Sequence, residues 1–184
     1  MRTYFTASVV GKPQHLREYQ AIIDTLKKEG LTVQSDHIMH ATECSIRMTT
    51  KEERLAFLDK LEGWINDCDC MVVEASFPSI SVGYEISLAI DRKKPVLILY
   101  SEGDPPSLFA YHHEENLICE KYSLGSLKHI IKDFLMFVKG TADMRFTFFI
   151  TPEIAMYLKK MAAQEKIPKS VYLRKLIEAD MKHP

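Results

Sequence analysis

The sequence predicts an α/β fold, a parallel sheet covered by helices on both faces, followed by a short appendage of a different style. Three observations predict it. Short runs rich in β-branched and aromatic residues (4–10, 70–75 and 95–100) alternate with longer stretches whose apolar residues recur at helical spacing. Strands separated by helices call for right-handed crossovers, hence parallel pairing. A chain of 184 residues is long enough for one good core, or for one domain with a small addition.

Residues 4–10 form the first expected strand, broken by Gly11-Lys12-Pro13. Leu16, Tyr19, Ile22, Ile23 and Leu26 recur at helical spacing, and Gly30 ends that helix. Residues 31–33 start a second strand that runs out towards Asp36-His37. Leu55, Leu58, Leu61, Trp64 and Ile65 mark an amphipathic helix over 51–66, with Thr49 or Thr50 as its cap. Residues 70–75 make the third strand, 82–91 the next helix and 95–100 the fourth strand. The polar stretch 101–116, with Pro105-Pro106, has the length of loops that cover sites. A weaker fifth strand over 117–122 and a helix over 127–138 complete the pattern.

The expected strand order is 2-1-3-4-5, a Rossmann/flavodoxin-like five-stranded parallel sheet. In such sheets ligands bind beyond the carboxyl ends of the strands. Ser8-Val9-Val10-Gly11, Asp36-His37 and Phe77-Pro78-Ser79 then converge at one edge. Beyond Lys139-Gly140-Thr141 the style changes: a β-run over 144–150, a helix start at Thr151-Pro152 and a second helix after Lys166-Ile167-Pro168. The expected domains are 1–140 and 141–184. A lone strand with two short helices cannot bury its own apolar faces, so a second copy of the chain is expected, as a homodimer or a higher homo-oligomer.

Apolar residues make up 46% and charged residues 27%, with a net charge of −1, the balance of an ordinary globular domain. That total predicts neither nucleic-acid nor acidic-membrane binding. No apolar run approaches a membrane span, and the start reads as a strand rather than a signal peptide, so a cytoplasmic location is expected. Of the four cysteines, Cys68 and Cys70 form a C-x-C with no second pair, and no metal or cofactor is expected.

The most informative stretch runs from Phe77 to Glu85, between an apolar strand and a helix. A strand, a turn of small residues and a carboxylate in the first helical turn aim one charged group into a cleft. Helix-terminal N–H groups and the dipole favour the ionised form of Glu85, which suits a nucleophile. Acidic residues also occupy first turns simply because they complement the dipole.

Four pieces in order, Tyr4-Phe5-Thr6-Ala7-Ser8-Val9-Val10-Gly11, Asp36-His37-Ile38, the run from Asp69 to Ser79, and Gly83-Tyr84-Glu85, resemble the nucleoside 2-deoxyribosyltransferase superfamily. The likeness is to its Rcl-like branch, the 2′-deoxynucleoside 5′-monophosphate N-glycosidases. The resemblance implies that Glu85 attacks the anomeric carbon of a nucleoside or nucleotide, with Tyr4 and His37 against the sugar or departing base. It places Ser8, Gly11, Ser79 and Gly83 near the ribose or 5′-phosphate, where backbone N–H groups can donate. A carboxylate can capture the oxocarbenium-like state of glycosidic cleavage covalently. Water then releases the sugar in a hydrolase, and a second base takes it in a transferase.

Several positions depart from that pattern. The family's aspartate eight residues before Asp69 is Leu61 here. Asp59 and Glu62 lie about 200° and about 100° away around a helix. Ala7 replaces a glycine, Val10 replaces an arginine, and residues 107–113 have no clear counterpart of the late-loop serine.

Residues 145–181 resemble a ribbon–helix–helix module of the Arc and CopG type. The resemblance turns Arg145, Thr147 and Phe149 towards a DNA major groove and Phe146, Phe148 and Ile150 towards a dimer core. Lys169 and Ser170 would hold a phosphate at a helix start. Residues 141–184 carry eight Lys/Arg and five Asp/Glu, only mildly basic, so a dimerisation element that never touches DNA is the other reading. The functional expectation is an N-glycosidase or deoxyribosyltransferase-like enzyme using Glu85. The alternative is a nucleotide-sensing DNA-binding regulator with a degenerate glycosidase domain, and a weaker one is TIR-like cleavage of NAD.

Overall fold

A computed structural model describes residues 1–47, 50–103, 106, 116–140, 150–165 and 169–181. The chain divides into two compact units, Met1–Asp143 and Met144–Pro184. In the first, five strands form one sheet in the order β2-β1-β3-β4-β5: β1 (Arg2–Ala7), β2 (Thr32–Gln34), β3 (Cys70–Glu74), β4 (Val96–Tyr100) and β5 (Leu117–Lys121). Every pairing is parallel, with Ala7 opposite Glu74 and Glu74 opposite Leu99 at the carboxyl ends. This is the expected order.

Side chains alternate across the sheet, as the period of a strand requires. Phe5, Ala7, Cys70, Val72, Leu97 and Leu99 pack on one face with α1 (Lys12–Lys28) and the helix Leu127–Val138. Tyr4, Met71, Val73, Val96 and Ile98 pack on the other with α3 (Lys51–Asp67) and α4 (Ile80–Asp91). A single-turn helix α2 (Asp36–Met39) precedes α3, and Leu127–Val138 is α5. With both faces covered, the central strands read as continuous apolar runs rather than alternating ones.

Three local features differ from expectation, each for a local reason. The first strand stops at Ala7, not at residue 10, because the chain turns: Lys12 N–H donates to the Val9 carbonyl (3.3 Å) and Gly11 N–H to Ser8 Oγ (3.2 Å). The stretch after β2 coils into α2 instead of running on extended, with Ile38 and Met39 N–H groups on the Ser35 carbonyl. Helix α4 starts at Ile80, because Ser79 is its cap and accepts from Val82 N–H (3.4 Å). Of the two candidate caps for α3, Thr50 serves, in a reciprocal capping box with Glu53.

The second unit contains α6 (Pro152–Glu165) and α7 (Lys169–Asp180), which pack through Leu158, Ala162 and Tyr172, with Met161 and Leu173 against them. Ile154 (47%), Leu176 (41%) and Ile177 (54%) remain exposed. Lys169 is exposed at the start of α7. Arg145, Thr147 and Phe149, and the Ser170 side chain, lie outside the described residues. Among the described residues no helix is long and apolar enough to cross a membrane, and no cluster of three or more His, Cys, Asp or Glu side chains could hold a metal ion.

Candidate active site

A cleft of about 570 Å³ opens where the chain leaves β1, β2 and β3. The strand order reverses between β1 and β3, which is where open α/β sheets take their ligands. Ala7 to Val10 line it from the turn after β1, His37 and Ile38 from α2, and Ser79 to Val82, Tyr84 and Glu85 from α4. Helix α3 closes the far side with Arg54, Phe57, Leu58 and Leu61, and Ile46 lies beside them.

Glu85 is 5% exposed, and Tyr4 Oη donates to its Oε2 at 2.9 Å. It is the sixth residue of α4, so it sits in the second turn rather than at the helix start. The first-turn electrostatics expected from the sequence therefore do not govern it. Burial raises its pKa above the usual carboxylate range, and the hydrogen bond from Tyr4 only partly opposes this. The buried Thr6 hydroxyl beside it acts in the same direction as Tyr4 without completing a hydrogen bond of its own.

Tyr4 is fully buried and is not among the residues that line the cleft. It lies behind Glu85, and burial, with the neighbouring Glu85 carboxylate, raises its pKa so that it stays a hydrogen-bond donor. Its ring stacks on His37 with centroids 4.8 Å apart and planes 12° from parallel. His37 also meets Trp64, with centroids 5.1 Å apart and planes tilted by 31°. Both imidazole nitrogens are buried without a hydrogen-bond partner. Burial pulls the His37 pKa down to about 4, against the pull of Asp36, so the ring that lines the cleft is neutral.

Of the four residues expected near sugar or phosphate, Ser8 and Ser79 line the cleft and Gly11 and Gly83 do not. Gly11 is required by packing, because a Cβ there would lie 2.4 Å from the Cβ of Phe77. A Cβ at Gly83 would meet nothing within 4 Å. Gly11→Ala is therefore expected to cost about 1–3 kcal/mol through overpacking. Gly83→Ala is expected to gain up to about 1 kcal/mol in a helix interior. Thermal melts of the two variants check this: a lower midpoint for the first and an equal or higher one for the second.

Leu61 is buried in the cleft wall, so the position held by an aspartate in the resembled family is apolar space here. Neither nearby acid replaces it: Asp59 is exposed, and Glu62 Oε2 accepts from Arg92 at 2.8 Å. Among the described residues Glu85 is the carboxylate in the lining. A second buried carboxylate, Glu74, lies off the cleft, its Oε1 accepting from Ser76 and from Tyr122 (3.3 Å). The sequence reading missed Arg54. Its signal was available, because Arg54, Leu58 and Leu61 share one helical face at i, i+4 and i+7.

No family model matches the chain. A protein of Methanosarcina barkeri that carries the name 2′-deoxynucleoside 5′-phosphate N-hydrolase 1 is 30% identical over 137 residues, 73% of this chain and 85% of that one. One of the same name from Syntrophotalea carbinolica is 31% identical over 137 residues, 73% of this chain and 94% of the relative. The 5-hydroxymethyl-dUMP N-hydrolase of Esox lucius is 31% identical over 111 residues, 60% and 76% of the two chains. Among solved structures, the CMP N-glycosidase of Clostridium botulinum shares the fold, with a TM-score of 0.50 at 18% identity over 72% of this chain and 99% of that one. Similarity that runs through nearly the whole of these relatives places the chain in the 2′-deoxynucleoside 5′-phosphate N-hydrolase family, within the nucleoside 2-deoxyribosyltransferase superfamily.

Proposed function

We propose that this protein hydrolyses the N-glycosidic bond of a 2′-deoxynucleoside 5′-monophosphate through a glycosyl ester on Glu85. The observation that carries the reading is that, among the described residues, one buried carboxylate lines the cleft, with one oxygen, Oε2, held by Tyr4 Oη. The other oxygen, Oε1, is left to attack the anomeric carbon as the bond to the base breaks and the base takes the bonding electrons. Water then adds at the same carbon, its proton leaves to solvent, and the Glu85 carboxylate returns with free sugar phosphate. Arg54 and the hydroxyls of Ser8, Ser79 and Ser81 supply the charge and donors that an anionic substrate needs.

The apolar wall at Leu61 bears on which base can leave. Without a carboxylic acid beside it, the base has to depart largely as an anion. Uracil-type rings carry that charge better than cytosine. A 5-substituted uracil agrees with the name of the Esox lucius relative.

A turnover panel of 5-hydroxymethyl-dUMP, dUMP, dCMP, dAMP, the parent nucleosides and NAD, read by chromatography, tests the reading. Free uracil-type base from the deoxynucleotides, with far less from dCMP, is the expected result. No release from any of them overturns it. If one nucleotide nonetheless raised the melting temperature, the regulator with a degenerate glycosidase domain would take its place.

For the second unit we propose a ribbon–helix–helix role in pairing two copies, with DNA contact through Arg145, Thr147, Phe149, Lys169 and Ser170 as its extension. Support comes from the small shared core of α6 and α7 beside exposed Ile154, Leu176 and Ile177. Removing residues 141–184 is expected to leave a monomer by light scattering at micromolar protein, and a truncated chain that still weighs as a dimer argues against it.

A further inference from the structure

We propose that Lys12 is a positioning residue for this site: its ammonium grips the main-chain carbonyls that close α2 and so holds the His37 ring in the cleft. Lys12 Nζ donates to the carbonyls of Ile38 (3.0 Å) and Met39 (3.0 Å), and also to that of Ala41. An ammonium has three N–H donors, and all three are used.

The need for such a grip follows from the shortness of α2. A helix of four residues has no stability of its own, and its terminal carbonyls lack partners within it. A cation at that end also complements the helix dipole. His37 is held by nothing else of comparable direction. Its two nitrogens make no hydrogen bond, so its place depends on the stack with Tyr4, the tilted contact with Trp64 and the backbone beneath it.

Lys12 follows Gly11 directly and opens α1. The same side chain therefore ties the Ser8–Gly11 turn to α2, and both segments line the cleft. Loss of the ammonium frees α2 and lets water reach the imidazole, while leaving the sheet and its two cores intact. The functional part of this proposal rests on reading the cleft as the substrate site; the grip itself is measurable without any substrate.

The experiment is an NMR titration of His37 in the full chain, with its signal assigned by its loss in His37→Asn. The charged group that acts on the ring is Asp36 on its own helix, and Glu85 lies across the hydrogen bond from Tyr4. The wild-type midpoint is expected at about 4. In Lys12→Met it is expected to climb towards the ordinary histidine value of about 6.5. Lys12→Arg, which keeps charge and donors, is expected to hold the low midpoint.

On a substrate found by the turnover panel, Lys12→Met is expected to lower kcat/KM by about ten- to a hundredfold, with Lys12→Arg restoring most of it. A wild-type midpoint in folded Lys12→Met overturns the proposal. If that variant does not fold, Lys12→Gln takes its place and the same result overturns it. Absence of turnover in the wild type would remove the glycosidase reading and still leave the titration to decide the grip.

Discussion

Glu85→Gln is expected to lower base release by about a thousandfold or more, because the amide cannot form the glycosyl ester. The same change is expected to raise the melting temperature at neutral pH. Burial lifts the pKa of Glu85 in the folded protein above its value in the unfolded chain. Between those two values the folded state binds the additional proton, so stability falls as pH rises through that window. Glutamine removes the dependence. The gain in stability should be full above the window and vanish below the unfolded value of about 4.3. Melts at several pH values, run beside the turnover assay, separate the two roles. A variant with wild-type turnover would end the assignment of Glu85 as nucleophile.

The second large effect is expected from Tyr4→Phe. The nucleophile must be ionised, so turnover falls as pH drops through the raised pKa of Glu85. Tyr4 Oη donates to the carboxylate and favours its charged form. Deleting that donor is expected to move the acid limb of the pH–rate profile to higher pH. A hydrogen bond to a charged group contributes about 1.5–3 kcal/mol. Turnover on the acid limb is then expected to fall by about ten- to 150-fold. The phenyl ring keeps the stack on His37, so the titration of that residue should stay in place. A fall in rate with an unmoved acid limb would mean that Tyr4 acts other than through Glu85.

Much of this arrangement is legible in the sequence because it depends on near neighbours. Alternating apolar runs and helical periodicities carry the sheet order, and the strand order alone brings Ser8, His37, Ser79 and Glu85 to one edge. What depends on distant contacts is not legible. The helix dipole is a local inference about Glu85, whereas its burial among residues of β1 and α4 is a tertiary fact that reverses the direction of its pKa. Tyr4 reads as a strand tyrosine, and only the placement of α4 makes it a donor to Glu85. Helix α2 is too short to show a period, so it read as extended chain. In the second unit the periodicity marks two helices correctly, but it cannot say what covers Ile154, Leu176 and Ile177.

The contact between Gly11 and Phe77 has a consequence for how such a cleft can diverge. The turn after β1 and the turn after β3 meet there without room for one carbon atom. Substrate preference is most readily retuned in those two turns, since Ser8 and Ser79 stand in them. Position 11 cannot take a side chain alone, because its Cβ would meet the Cβ of Phe77, which only glycine at position 77 removes. Libraries that vary the first turn will lose stability wherever they replace Gly11. Libraries that keep Gly11 and vary Ser8 and Ser79 leave that contact intact and still reach the cleft lining.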